Sequence, residues 1–147
     1  MIRFRPGLRA DVEAVVALLA DDILGRSRER ADLAHYLDAF DAMQGEPGNL
    51  LVVGERDGHV LACYQLTVIS GLSLSATRRA QIEGVRVAAE LRGQGVGAAL
   101  IADAEARARQ AGATLMQFTT NAARDDAHRF YTRMGFAPSH IGFKKTL

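Results

Sequence analysis

The 147-residue chain has one cysteine, two lysines and no apolar run near the ~18 residues of a membrane span. Cys63 cannot form an internal disulfide or a thiolate metal cluster, so it reads as a small buried apolar residue and fits a reducing compartment. Met1, Ile2, Arg3, Phe4, Arg5, Pro6 and Gly7 open the chain without the apolar core of a signal peptide, so a soluble cytoplasmic protein with no membrane partner is expected. Charge of one sign is also lacking. Eighteen Lys and Arg against seventeen Asp and Glu leave a formal +1, which argues against a nucleic-acid partner. Nearly all the positive charge is Arg, whose fork suits phosphate and carboxylate. There is no low-complexity segment or solenoid-like repeat, and length and composition fit a single domain spanning 1–147.

Apolar periodicity organises the chain. Val12, Val15, Val16 and Leu19 follow a helical spacing after Asp11, whose carboxylate can accept from the first-turn amides. Leu33, Tyr36, Leu37 and Phe40 predict a second helix over about 31–43, stopped by Glu46, Pro47, Gly48 and Asn49. Residues 50–55 and 60–69 predict antiparallel strands joined through Asp57 and Gly58. Residues 80–87 read as another strand, with Gly84 marking a bulge or a close backbone approach. A glycine-rich turn, a long helix over 98–111, a strand over 115–120, a helix over 124–134 and a last strand over 141–147 complete a mixed α/β order.

The turn Arg92, Gly93, Gln94, Gly95, Val96, Gly97, Ala98 can aim successive N–H groups at one point, where a helix N-terminus adds positive charge. This suits a phosphate, with Arg92 adding a charge-assisted contact; a tight strand-to-helix connection is the plain alternative. Ala98 and Ala99 stand where a Walker loop needs Lys and Ser or Thr, which disfavours an NTPase. Gly93, Gly95 and Ala98 fit a dinucleotide fingerprint, but Ala88 to Arg92 intervene after the strand and no acid ends the next one, so a nucleotide-binding Rossmann-like domain is a weak reading.

Val85, Arg86, Val87, then Leu91 to Ala98, resemble the acetyl-CoA-binding motif of the GNAT superfamily of N-acetyltransferases, with Arg92, Gly95 and Gly97 at its key positions. Ala127, Phe130, Tyr131, Gly135 and Phe136 resemble the family's second block. The resemblance implies a mostly antiparallel central sheet whose fourth and fifth strands are parallel and splay apart, flanked by about four helices. A bulge at Gly84 would assist that splay. It also implies that Val85, Arg86 and Val87 line the pantetheine of acetyl-CoA, and that the amides of Arg92, Gly93, Gln94, Gly95, Val96, Gly97 and Ala98 hold its pyrophosphate. The family often has Asn three residues before the Ala of the second block; Arg124 stands there and Asn121 three residues earlier, so Asn121 is the cofactor contact expected at the strand end.

Acetyl transfer to an amine needs a base, a polarised thioester carbonyl and an acid for the leaving thiolate. Glu83, beside the implied slot and where many GNAT enzymes place a Glu, is the expected base, directly or through water. Tyr131, with an ordinary pKa of ~10 against ~8.5 for a thiol, is the expected acid, and the Val85 amide the carbonyl donor. Nothing near Cys63 in sequence would lower its pKa, so direct attack in a ternary complex is expected over a covalent relay. His35, His59, His128 and His140 lack ligand spacing, and no metal is expected. Arg26, Arg28, Arg30, Arg78 and Arg79 would suit an acceptor carrying a carboxylate if they gather; a solvated rim is the plainer role. The expected partner is a small-molecule or protein amine, a homodimer is left open, and the rival function is an acyl-CoA-binding module without turnover.

Overall fold

The computed structural model describes residues 1–21, 29 and 32–147, which fall into two compact units, Met1–Gln117 and Phe118–Leu147. In the first unit β1 (Arg3–Pro6) leads through a 3-10 turn at Arg9–Asp11 into α1 (Val12–Ala20). There follow α2 (Leu33–Gln44), β2 (Asn49–Arg56), β3 (His59–Ile69), β4 (Arg79–Val87), α3 (Val96–Gln110) and β5 (Leu115–Gln117). A short helical turn at Ser73–Ala76 sits between β3 and β4, with Leu74 and Ser75 in left-handed torsions. The five strands form one sheet in chain order, antiparallel except for the parallel β4–β5 pair. This is the mixed sheet expected from the sequence. Asp57 and Gly58, at φ 53° and 78°, make the two-residue turn that suits the right-handed twist of a hairpin.

Each strand alternates its side chains between two faces. One face carries Val52, Tyr64, Leu66, Ala80 and Ile82, fully buried or nearly so along with Leu100, Ile101, Ala104 and Ala108 of α3. Tyr64 also anchors α3 by polar contact: its hydroxyl donates to Asp103, which is paired with Arg107 at 2.8 Å, and Arg107 reaches the Phe4 carbonyl. Burial and the facing Asp103 carboxylate both push the Tyr64 phenol up. The opposite face carries Leu51, Val53 and Cys63, clustered with Val12 and Val15 of α1 and Phe40 of α2. Asp32 caps α2 by accepting from the Ala34 amide at 3.1 Å.

Three local expectations need correction. Asp11 does not cap α1 by side chain: it accepts from the Leu8 amide at 2.7 Å and from both ends of the Arg5 guanidinium, which outcompetes neutral first-turn amides for a carboxylate. The strand expected over 115–120 stops at Gln117, because the ladder to β4 ends at the Gln81–Gln117 pair. Residues 141–147 form no strand; Ile141, Phe143 and Leu147 are exposed, and apolar alternation without a neighbouring strand cannot build a ladder.

The second unit holds α4 (Asp125–Arg133), with Asp125 and Asp126 in its first turn and Arg133 in its last, both favourable to the helix dipole. Phe118, Phe130, Tyr131 and Phe136 form its ring cluster.

Candidate active site

β4 positions the site in the first unit. It pairs with β3 from Arg79 to Val87, but with β5 only through Arg79, Ala80 and Gln81. Residues 82–87 therefore have no β5 partner in the ladder. Within that stretch Cys63 pairs with Arg86 and Gln65 with Glu83, so Tyr64 alone faces both Gly84 and Val85. This is a β-bulge, and Gly84 takes its left-handed position at φ 60°. The extra residue has a chemical consequence: Glu83 and Arg86, three apart, both share the face of Cys63 and α1, where a regular strand would send them to opposite faces.

Glu83 is exposed on that face. Leu19 of α1 comes within 3.6 Å of the Cβ position at Gly84, which brings the end of α1 to the bulge. Arg86 donates to the Val85 carbonyl at 2.9 Å. Arg92 donates to the Val87 carbonyl at 3.3 Å and to the Asp21 carbonyl at 3.4 Å, joining the end of α1 to the end of β4. Both arginines expected along the cofactor thus also brace the strand that would receive it. Cys63 donates to the Gly84 carbonyl at 3.5 Å, and burial pushes its thiol up to about 12 against the opposing charge of Arg86. Such a thiol stays protonated at neutral pH and makes a poor nucleophile.

After β4 the chain turns through Ala89–Leu91 to the glycine segment. Gly93 and Gly95 take φ 74° and 80°, and a Cβ at either would meet open space, so torsion rather than crowding calls for glycine. Gly95 is the N-cap of α3. Neither a capping side chain nor an acid in the first turn satisfies the leading amides of α3, Val96, Gly97 and Ala98. Gln94 is turned back, its amide donating to the Glu90 carbonyl at 2.6 Å. A strand whose residues 82–87 have no β5 partner in the ladder, followed by a left-handed glycine turn into an uncapped helix, fits the pantetheine and pyrophosphate of a CoA thioester.

In the second unit, Tyr131 is half-buried against Phe118 at 4.1 Å and Phe130 at 5.1 Å between ring centres. Asn121 is exposed and its side chain accepts from the Ala123 amide at 2.9 Å, bracing the turn before α4.

Two features escaped sequence reading. The Tyr64–Asp103–Arg107 chain joins residues 39 apart, and no local spacing marks it. A polar row also crosses the Glu83 face: Arg79, Gln81 and Glu83 alternate along β4, Thr67 and Gln65 stand opposite on β3, and Gln117 neighbours Gln81 on β5. Amides bond within it, Gln117 to Gln81 at 3.2 Å and Gln65 to Asn49 at 2.8 Å. Of the five arginines named for an acceptor, Arg26, Arg28 and Arg30 lie outside the described residues. Arg78 is engaged by the Ala111 carbonyl and the Ser70 hydroxyl, and Arg79 shares the face of Glu83. An open concavity of about 550 Å³ near Ala14, Arg56, His59 and Glu90 contains none of the residues of the row or the glycine turn. Among the described residues no group of three or more His, Cys, Asp or Glu could hold a metal ion, and no helix is long and apolar enough to cross a membrane.

A mixed sheet with one parallel pair, β4–β5, and a glycine turn into α3 frame the site. Residues 16–136 match the model of the Acetyltransferase (GNAT) family, and the chain belongs to that family. It is 35% identical over 137 residues to an aminoalkylphosphonate N-acetyltransferase from Salmonella typhimurium, covering 93% of this chain and 86% of that protein. A transcriptional regulator from Bacillus halodurans superposes with a TM-score of 0.95 at 37% identity over the whole of both chains. A predicted acetyltransferase from Clostridium acetobutylicum, solved with acetyl-CoA, superposes at 0.78 with 12% identity, covering 99% of this chain and 96% of that one, a likeness of fold alone. The chain is an acyltransferase of the N-acetyltransferase type, and its family uses acetyl-CoA.

Proposed function

We propose that the protein moves the acetyl group of acetyl-CoA to the primary amine of a small molecule bearing an acidic group, by direct attack in a ternary complex. The observation that carries the reading is that the β4–β5 ladder ends at Gln81, directly before the bulge at Gly84 and the exposed Glu83. The relative that acts on aminoalkylphosphonates supports a small acceptor over a protein one. In this reading the open edge at Val85, Arg86 and Val87 receives the pantetheine, while the amides from Arg92 to Ala98, with Gly93, Gln94, Gly95, Val96 and Gly97 between, hold the pyrophosphate. Asn121 adds a further cofactor contact.

Acetyl-CoA supplies an acetyl group activated as a thioester. Glu83, directly or through one water, takes the proton of the acceptor ammonium and so frees its lone pair. The Val85 amide stabilises the negative charge that develops on the carbonyl oxygen. Tyr131 gives its proton to the departing sulfur and is restored from solvent. Cys63 takes no part, since its raised pKa leaves no thiolate to attack. The family match spans both compact units, which supports a single acetyltransferase domain over 1–147. We assign the reaction to the cytoplasm, where a free thiol such as Cys63 persists.

The test is amine-dependent release of CoA thiol across a panel of small amines. Glu83→Gln is expected to lower kcat by about 10²- to 10⁴-fold, and Tyr131→Phe to lower kcat with the acetyl-CoA Kd unchanged. Unchanged kcat in either variant removes that residue from the mechanism. Tight acetyl-CoA binding without release to any amine would favour a binding module.

A further inference from the structure

We infer that the polar row on the Glu83 face is the acceptor's seat and that Arg79 grips the acceptor's acidic group; this inference rests on the acetyl-transfer reading above. The register fixes the row. Arg79, Gln81 and Glu83 lie at alternate positions of one uninterrupted stretch of β4, opposite Ile69, Thr67 and Gln65 of β3, so their side chains leave the sheet on the same side. Arg79 and Glu83 are four residues apart, about 13 Å of strand. The row thus sets a positive side chain and a carboxylate on one face of one strand, for an acceptor with its amine at Glu83 and its acid at Arg79.

Neighbouring arginines separate the two roles. Arg78 is committed to the Ala111 carbonyl at 2.8 Å and the Ser70 hydroxyl at 2.7 Å. Among the described residues, Arg79 makes no hydrogen bond or ion pair, and its guanidinium lies beside Gly71. Between Arg79 and Glu83 the floor is neutral but rich in donors. With Gln117 donating to Gln81 at 3.2 Å, the Gln81 amino group keeps its own protons for an oxyanion. The row from Arg79 to Glu83 thus offers one positive side chain, one carboxylate and amides between them, the complement of a zwitterion. The same arrangement disfavours diamines, because Arg79 would face their second cation. The apolar cluster under α1 and α2 covers Leu51, Val53 and Cys63 on this face, while the row stays half-buried or exposed.

Three acceptor probes of similar length test this: 2-aminoethylphosphonate, β-alanine and n-propylamine, which carry a phosphonate, a carboxylate and no acid. Arg79→Gln is expected to raise KM for the acid-bearing probe that the wild type prefers by about 10- to 100-fold, the size of a charge-assisted hydrogen bond. The propylamine KM and the acetyl-CoA Kd should stay within about twofold, and Arg79→Lys should recover part of the loss. A loss confined to one of the two acids upholds the inference and names the acid. An equal rise for propylamine, or no rise for any probe, overturns it. Calorimetric binding of the same probes to the CoA-bound protein separates this inference from the reading it rests on. Acid-dependent binding that Arg79→Gln abolishes upholds the seat even where no acetyl transfer occurs, and absence of such binding in the wild type overturns it while leaving transfer to other amines intact.

Discussion

The two faces of the sheet do different work. Towards α3 the face is closed and apolar, with Val52, Tyr64, Ala80, Leu66 and Ile82 at most 2% exposed, and the Tyr64 hydroxyl is satisfied internally by Asp103. Towards α1 and α2 the face is divided: an apolar half under the helices and a polar half carrying Glu83, Gln81 and Arg79. One strand serves both faces. Ala80 and Ile82 of β4 hold the core while Gln81 and Glu83, one residue along, face the other way, so the residues that stabilise the fold are distinct from those assigned to the chemistry.

That division can be broken from either side. The largest effect on stability is expected at the closed face, where Leu100→Ala leaves a cavity in full burial and costs about 2–5 kcal/mol in denaturant unfolding. The acetyl-CoA Kd of the remaining folded protein should be unchanged. A lost Kd at preserved stability would mean that the two faces are not separable.

A smaller effect is expected where the divided face is tied down. Arg5 bonds both Asp11, at the entry to α1, and Glu55 of β2, and the Arg5 hydrogen bonds hold the Asp11 carboxyl below its usual range in spite of partial burial. Asp11→Asn should cost about 1.5–3 kcal/mol at neutral pH. The sign follows from the lowered pKa: the native state binds its proton less readily than the unfolded chain, so the stabilisation is complete above the unfolded pKa of ~3.9 and fades as pH falls further. Urea midpoints of wild type and variant should therefore converge as the pH drops below that value. A gap that stays constant down to low pH would assign the loss to packing instead.

Much of this was legible in the sequence, because local chemistry decided it. The spacing of Val12, Val15, Val16 and Leu19 marked α1, Asp57 and Gly58 marked the hairpin, and Gly84 marked the bulge. The family resemblance likewise pointed to the parallel pairing of β4 and β5. What stayed illegible depends on register and on choice of partner. The polar row needs four strands aligned to within one residue, and a single slip would turn Gln81 and Glu83 to the core. Asp11 had amides within reach, and only the fold brings it the Arg5 guanidinium. β5 ends at Gln117 although β4 runs on to Val87, a stop that no local spacing marks, and the apolar alternation over 141–147 lacks the neighbour that would make it a strand.

The most direct test of the central claim, that acetyl-CoA binds along the open edge of β4 and at the start of α3, is amide hydrogen exchange with and without acetyl-CoA. The account predicts slowed exchange confined to segments 85–87 and 92–98, the strand edge and the glycine turn. Unchanged exchange in both segments, with protection instead in the concavity near Arg56, His59 and Glu90, would contradict it.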